Sequence, residues 1–485
     1  MNQAERDQID RMCRPRGIAV FGNMGRLGAF AHSITCAHQR FGYTGKINLV
    51  SQKGEEALGL KIHRSLASVD GPVDLASISV PPARVPAVLE ECLAYGVAGV
   101  TIHTSGFAET GGEGVLLQKQ IEAVSARGIR VIGPNCFGIY SPRGGLTFLP
   151  GFDYPRQPGK VGMVFQSGGM ANDIIHEASA SGIRFSKVFS FGNGCDLDAV
   201  RLVTYLADDP ETEIIAAYLE GIGDGREFLR LVRRITPFKP VVIWKGGLTP
   251  FGGRMTQSHT GSMGGEAQIW KGMLAQAGAV EVHNPEAFSD TLTALSFLKK
   301  PGQRIGLMGG GGAIGVHSAD ITYRLGLQMP RFSAETQQKL SEILPTPGAG
   351  LGNPVDMVTP ALPLDQIIQM VEEIMKRESI DVFLLVTLLH AVDVSPRIFC
   401  DILGLAPPQS ETYFDTLLAA LVRIKSETGK EIGTVIENRA QGLDNLDTEN
   451  VLRQTRKKFQ DAGLPVFATA DRALLAVHHA LKSSG

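Results

Sequence analysis

Short apolar runs rich in β-branched residues recur along the chain, each followed by a polar or glycine turn and a stretch with helical period. The first set is GIAVFG (17–22), KINLVS (46–51), LASISV (75–80), GVTIHT (99–104) and RVIGPN (130–135). Runs of this length that are apolar at successive positions predict strands covered on both faces, and their alternation with helical stretches predicts parallel sheets between helices. A Pro- and Gly-rich linker, LPGFDYPRQPGK (149–160), interrupts the series. It restarts with KVGMVFQSGG (160–169), FSKVFSFG (185–192), EIIAAYLEG (213–221), PVVIWKGG (240–247) and AVEVHN (279–284). After the basic LKKPGQR (298–304), a third series runs through RIGLMGGGG (304–312), IDVFLLVTLL (380–389), EIGTVIE (431–437) and PVFATA (465–470), then a closing helix over 471–482. Three α/β domains follow, over 1–148, 149–300 and 301–485; at 485 residues the chain has the length for about three cores.

Composition removes several function classes. A net charge of −2 gives no electrostatic reason to bind nucleic acid or an anionic membrane. No apolar run approaches the roughly 20 residues of a membrane helix. The opening MNQAERDQIDRMCRPRG mixes acids with bases and lacks the apolar stretch of a secretory signal. Cys13, Cys36, Cys92, Cys136, Cys195 and Cys400 form no CxxC pair and no Cys/His cluster with zinc spacing. The expectation is a cytoplasmic protein with reduced thiols and no bound metal.

Three glycine turns, each after the first strand of a series, are candidate anion sites, because helix N-termini at the carboxyl ends of strands point free N–H groups outward. The first is FGNMGRLG, with Gly22, Gly25 and Gly28. Its spacing differs from the GxGxxG of nicotinamide-binding folds. The second strand ends NLVSQKGEE, so Ser51 and Lys53 stand where a dinucleotide-binding domain places an acid for the ribose hydroxyl. A cation there suits a phosphorylated ribose, which leaves NADP or coenzyme A and argues against NAD. The second turn is FQSGGMANDI, with Ser167, Gly168 and Gly169; the third is MGGGGAIGVHSADI, with glycines at 309 to 312. Each could also be a tight turn that lets a helix pack closely on a sheet.

MTQSHTGSMGG (255–265) places His259 among glycines and small hydroxyl residues, a composition that predicts neither helix nor strand. By itself such a histidine could be an ordinary surface residue. No Cys, Asp or second His lies within ten residues to complete a metal site. Ser258 and Ser262 lack the GxSxG setting of an activated serine. A histidine nucleophile on a mobile arm is the reading left.

SHTGSMGG (258–265) resembles the phosphohistidine loop of the NDP-forming acyl-CoA synthetases, relatives of succinyl-CoA synthetase. GPNCFG (133–138), FQSGG (165–169), FGNGCDLD (191–198), YLEGI (218–222) and NPVDMVTP (353–360) resemble other signatures of that family, in the same order. The resemblance implies a coenzyme A-binding Rossmann domain followed by two flavodoxin-like parallel-sheet domains, the layout of an ADP-forming acetyl-CoA synthetase α subunit. It implies that His259 is phosphorylated and that Glu220 holds its imidazole. It places phosphate at Ser167, Gly168 and Gly169 and at Gly310, Gly311 and Gly312. It places coenzyme A near Gly22, Gly25, Gly28, Ser51, Lys53, Val80, Pro81, Asn135 and Cys136. The chain departs from the family in Phe137, where the succinyl-specific branch has proline, and in lacking the proline usual near Lys53.

No stretch combines a glycine-rich lid with acid pairs for magnesium, so the resemblance implies that ATP or ADP (or GTP or GDP) binds with Mg2+ on a separate ATP-grasp β chain, in a hetero-oligomer. A non-catalytic coenzyme A-binding relative and an NADP-linked oxidoreductase are the alternatives. The acid is not legible in the sequence.

Overall fold

β1 (Gly17–Gly22) is buried along almost its whole length, as its apolar run requires. It lies in a seven-stranded sheet with β2 (Lys46–Val50), β3 (Glu56–Ala57), β4 (Leu60–His63), β5 (Leu75–Ser79), β6 (Gly99–Ile102) and β7 (Arg130–Ile132). The order is β3-β4-β2-β1-β5-β6-β7, all parallel except the β3–β4 hairpin. Without β3 this is the 3-2-1-4-5-6 order of a Rossmann fold, whose strand order reverses between β1 and β5. This computed structural model describes residues 1–149, 153–260, 267–358, 362–406, 410–440 and 442–483, with the backbone alone for 257–260.

The second sheet contains β8 (Gly138–Tyr140), β9 (Val161–Phe165), β10 (Phe185–Ser190), β11 (Ile214–Leu219), β12 (Val241–Lys245) and β13 (Val280–Val282), in the order β13-β12-β11-β9-β10-β8. β8 is antiparallel to β10, and the five others follow the flavodoxin order 2-1-3-4-5. Its switch point lies between β9 and β11. These two sheets form one compact unit, Met1–Ser179 with Ile183–Phe288.

The other unit comprises Ala180–Gly182 and Ser289–Gly485. Its sheet is β14 (Ile305–Gly309), β15 (Val382–Leu388), β16 (Glu431–Glu437) and β17 (Val466–Phe467), parallel and in chain order. Val355 bridges the free side of β14 through Met308, which supplies the flavodoxin edge position. The switch point is therefore between β14 and β15.

Fourteen of these strands fall on the apolar runs named above, and the closing helix is Ala470–Lys482. Four local features differ from the expectation, the first being β8, which lies on none of those runs and pairs into the second sheet although it falls within 1–148. Gln3–Cys13 is a helix, started by an Asn2–Glu5 capping box, and it buries Ile9, Met12 and Cys13. The β3–β4 hairpin, with strands of two and four residues, is too short to show a period. The glycine-rich segment before His259 is not an irregular arm throughout: Pro250–Thr260 is a helix. Pro250 fits the first helical position, and Thr249 accepts from Gly252 N at its Oγ1 (3.0 Å) and from Gly253 N at its carbonyl (2.7 Å). The next helix is Ala267–Ala277; residues 261–266, and with them Ser262, lie outside the described residues, as do 150–152 of the linker and 359–360 of NPVDMVTP.

Candidate functional site

At the first switch point a cleft of about 280 Å3 opens outside the ends of β1, β2 and β5. Gly22, Ser51, Lys53, Val80 and Pro81 line it together with Gln52, Arg64 and Arg84. Gly22 is fixed by packing. Its φ is +152°, and a Cβ there would lie 2.6 Å from Ala31 Cβ and 2.7 Å from Ser79 O. Gly28 is different: a Cβ would meet nothing within 4 Å, although its φ of +82° favours glycine. The helix Phe30–Phe41 begins at Ala29 without a side-chain cap, so its first N–H groups remain available at this end of the sheet. Lys53, Arg64 and Arg84 give the cleft a positive rim. Its acid, Glu91, is engaged by Leu66 N at 2.5 Å. Arg64 and Arg84 are additions to the residues expected; Arg84 follows the SVPP turn in sequence, while Arg64 arrives through the hairpin.

Asn135 and Cys136 lie off the cleft lining. Asn135 adopts φ +59°, and its turn interlocks with FGNGC: Asn193 N donates to Pro134 O (3.0 Å) and Cys195 N to Gly133 O (3.1 Å). Cys136 faces inward, its Sγ donating to Ile102 O at 3.4 Å, and burial pushes the thiol up to about 12. Phe137 covers the next turn. A Cβ on Gly168 would lie 2.7 Å from the Phe137 ring, so glycine is needed there, whereas Gly169 faces open space. Ser167 caps the helix Gly168–Ala180, its Oγ accepting from Met170 N at 3.4 Å.

The second switch point brings that turn to Glu220. Gln166 Oε1 accepts from Glu220 N (2.7 Å) and Gly221 N (3.0 Å), tying the end of β9 to the end of β11. Glu220 is 4% exposed, and the Tyr218 hydroxyl donates to its Oε1 at 3.4 Å. Lys245 Nζ donates to Glu220 O at 2.8 Å from the neighbouring β12. His259 lies in the last turn of the helix that follows β12; its side chain is outside the described set. Gln166 was not among the residues expected; its signal was its place as the first polar residue after an apolar strand.

In the other unit, Gly309, Gly310 and Gly311 take φ of +111°, +79° and +88° in succession. A Cβ on Gly309 would lie 2.1 Å from Val386 O of β15, and one on Gly312 would lie 2.8 Å from Asp356 Oδ2. The helix Gly312–Arg324 begins at Gly311 with no side-chain cap. Close packing therefore accounts for Gly309 and Gly312, while a Cβ on Gly311 would meet nothing within 4 Å.

Two family models match the chain: a CoA binding domain over residues 16–142 and a succinyl-CoA ligase like flavodoxin domain over 158–295. Of the two ligands that Lys53 left open, the first match supports coenzyme A. The α subunit of acetate–CoA ligase (ADP-forming) II from Pyrococcus furiosus is 35% identical over 354 residues, 73% of this chain and 77% of the relative. A single-chain acetate–CoA ligase (ADP-forming) from Methanocaldococcus jannaschii is 34% identical over 72% of this chain; the aligned region spans 49% of its length. A solved structure of a dinucleotide-forming acetyl-coenzyme A synthetase from Ca. Korarchaeum cryptofilum, in complex with phosphate and ADP, aligns with a TM-score of 0.81. It is 26% identical and covers 98% of this chain and 97% of that one. Fold, clefts and relatives define an acid–thiol ligase with a coenzyme A-binding domain. The chain belongs to the family of ADP-forming acyl-CoA synthetases, and within it corresponds to the α subunit.

Proposed function

We propose that this chain is the half of an ADP-forming acyl-CoA synthetase that handles coenzyme A and carries phosphate on His259, with a separate ATP-grasp chain supplying the nucleotide site. The observation that carries the reading is the Gln166 clamp, which sets the Ser167–Gly169 helix terminus beside Glu220 at one switch point. An anion site and a buried carboxylate on the sheet whose β12 leads into the histidine-bearing helix are the parts a phosphohistidine needs.

In the first step an oxygen of inorganic phosphate attacks the thioester carbonyl, the C–S bond breaks, and coenzyme A leaves as its thiol after taking a proton. The His259 ring nitrogen then attacks phosphorus, the P–O bond to the acyl group breaks, and the carboxylate departs. ADP on the partner, with Mg2+, accepts the phosphoryl group and frees the histidine. The Gly168–Ala180 helix terminus offsets negative charge on the phosphoryl oxygens, and Glu220 accepts from the other ring nitrogen. The Gly312–Arg324 terminus serves as a second phosphate cradle. The proposed domains are a coenzyme A-binding domain (1–148), a domain bearing the histidine (149–300) and a second flavodoxin-like domain (301–485), with β8 (Gly138–Tyr140) crossing from the first into the second sheet.

The test of the assignment is complementation. The purified chain should make no acyl-CoA from acid, coenzyme A and ATP, and should do so once an ATP-grasp β chain is added. Acid- and coenzyme A-dependent ATP turnover by the chain alone would place a nucleotide site on this chain and defeat the two-chain reading.

The cleft at the first sheet should prefer coenzyme A to dephospho-coenzyme A, because the cations Lys53 and Arg64 in its lining suit a ribose phosphate. The expected ratio by calorimetry is about tenfold, the low end for a charge-assisted contact since Lys53 is exposed. Lys53→Met should narrow that ratio; equal affinity of the unaltered chain for both ligands would remove the ribose-phosphate argument.

A further inference from the structure

We propose that Lys245 is a positioning residue for phosphoryl transfer at His259, its ammonium group holding together the ends of β11 and β12 and the helix that follows the histidine segment. The inference rests on the phosphohistidine reading above. Lys245 is the last residue of β12, and the helix carrying His259 begins at Pro250. Its Nζ donates to Glu220 O at 2.8 Å and to Gly246 O, and lies 5.0 Å from the centre of the Trp270 ring. Trp270 is in the first turn of Ala267–Ala277, the helix on the other side of the histidine segment. One side chain, 3% exposed, thus joins the end of β11, the exit from β12 and the helix that receives the chain after His259.

A strand pin needs only a neutral donor, and a buried charge is the costlier choice. What the cation adds is attraction for the Glu220 carboxylate. That attraction lets a second anion, the phosphoryl group, approach a site that already buries one. Among the described residues, Glu220 at the end of β11 is the charged group that acts on Lys245; Tyr218, two residues before it, is held neutral by burial, and Trp270 does not ionise. Burial pushes the Lys245 ammonium down to about 8, against the opposing pull of Glu220. The positive form is therefore present below about pH 8 and is lost as pH rises through it. Phosphohistidine formation therefore slows over the same interval.

The experiment follows single-turnover labelling of the full chain by acyl-CoA and radiolabelled inorganic phosphate across that interval, in wild type, Lys245→Arg and Lys245→Met. Coenzyme A affinity and the melting temperature are recorded for each. Wild type is expected to lose rate with an apparent pKa near 8. In Lys245→Arg that alkaline limb should vanish, because a guanidinium stays charged. Lys245→Met should label at least tenfold more slowly below pH 8 and show no alkaline limb, with coenzyme A affinity unchanged. An alkaline limb kept intact in Lys245→Arg overturns the proposal, even if Lys245→Met does not fold. So does Lys245→Met labelling at the wild-type rate. A wild-type chain that takes no label on His259 overturns the phosphohistidine reading and this inference with it, whereas labelled wild type with indifferent Lys245 variants removes only the lysine.

Discussion

His259→Ala is expected to abolish incorporation of phosphate when the chain is given acyl-CoA and inorganic phosphate. That half-reaction needs no nucleotide, so the chain alone suffices to test it. The substitution should leave the fold intact, because position 259 is in the last turn of the helix Pro250–Thr260 and alanine is the strongest helix former. Coenzyme A affinity should also persist, since the cleft at Lys53 and Pro81 belongs to the first sheet. In the unaltered chain the label should be lost in acid and survive alkali, as a phosphoramidate does. Intact-mass measurement and a phosphopeptide map locate it. An acid-stable adduct on Ser258 or Ser262, or full turnover of His259→Ala with a β partner, would show that another residue carries the phosphate.

The strands were legible because parallel strands covered on both faces must be apolar at every position, and an apolar run of five or six residues ended by a turn has few other uses. Their order was not. Order depends on which edges pair after the helices cross over, and β8, whose GIY directly follows GPNCF, joins the second sheet rather than the first. The N-terminal helix could have been found: Asn2 and Glu5 have the spacing of a reciprocal cap. The helix before His259 was hidden by Gly252 and Gly253, each costing about 1 kcal/mol of intrinsic helix stability relative to alanine. Its signal was Thr249-Pro250 rather than any apolar period.

The site was legible where a residue type is dictated by chemistry and obscure where geometry supplies the partner. Lys53 stood out as a cation at a position that often holds an acid. Arg64 reaches the same cleft through a hairpin with no readable pattern. Glycine turns marked candidate anion sites but not the reason for each glycine. Packing dictates Gly22 against Ala31, Gly168 against Phe137 and Gly309 against Val386 O, whereas Gly28, Gly169 and Gly311 border open space. The latter group is where an anion has room to approach main-chain N–H groups.

Glu220→Gln isolates the carboxylate's charge, because the main chain at this residue is held without it. Gln166 Oε1 accepts from Glu220 N at 2.7 Å and Lys245 Nζ donates to Glu220 O at 2.8 Å, and neither contact involves the side chain. The glutamine oxygen can still accept from the Tyr218 hydroxyl, so β11 should end in the same place. In the proposed mechanism, what disappears is the negative charge that steadies the imidazole as its ring nitrogen attacks phosphorus and the ring becomes cationic. Loss of one charge-assisted hydrogen bond of about 1.5–3 kcal/mol predicts labelling of His259 slowed roughly ten- to a hundredfold. Coenzyme A affinity, read by calorimetry on the same preparation, should change by less than about twofold, about 0.4 kcal/mol, because Glu220 is not among the residues lining the cleft at the first sheet. Rate and affinity falling together would mean that Glu220 supports the fold of this unit. A rate that does not fall would mean that another group receives the imidazole proton.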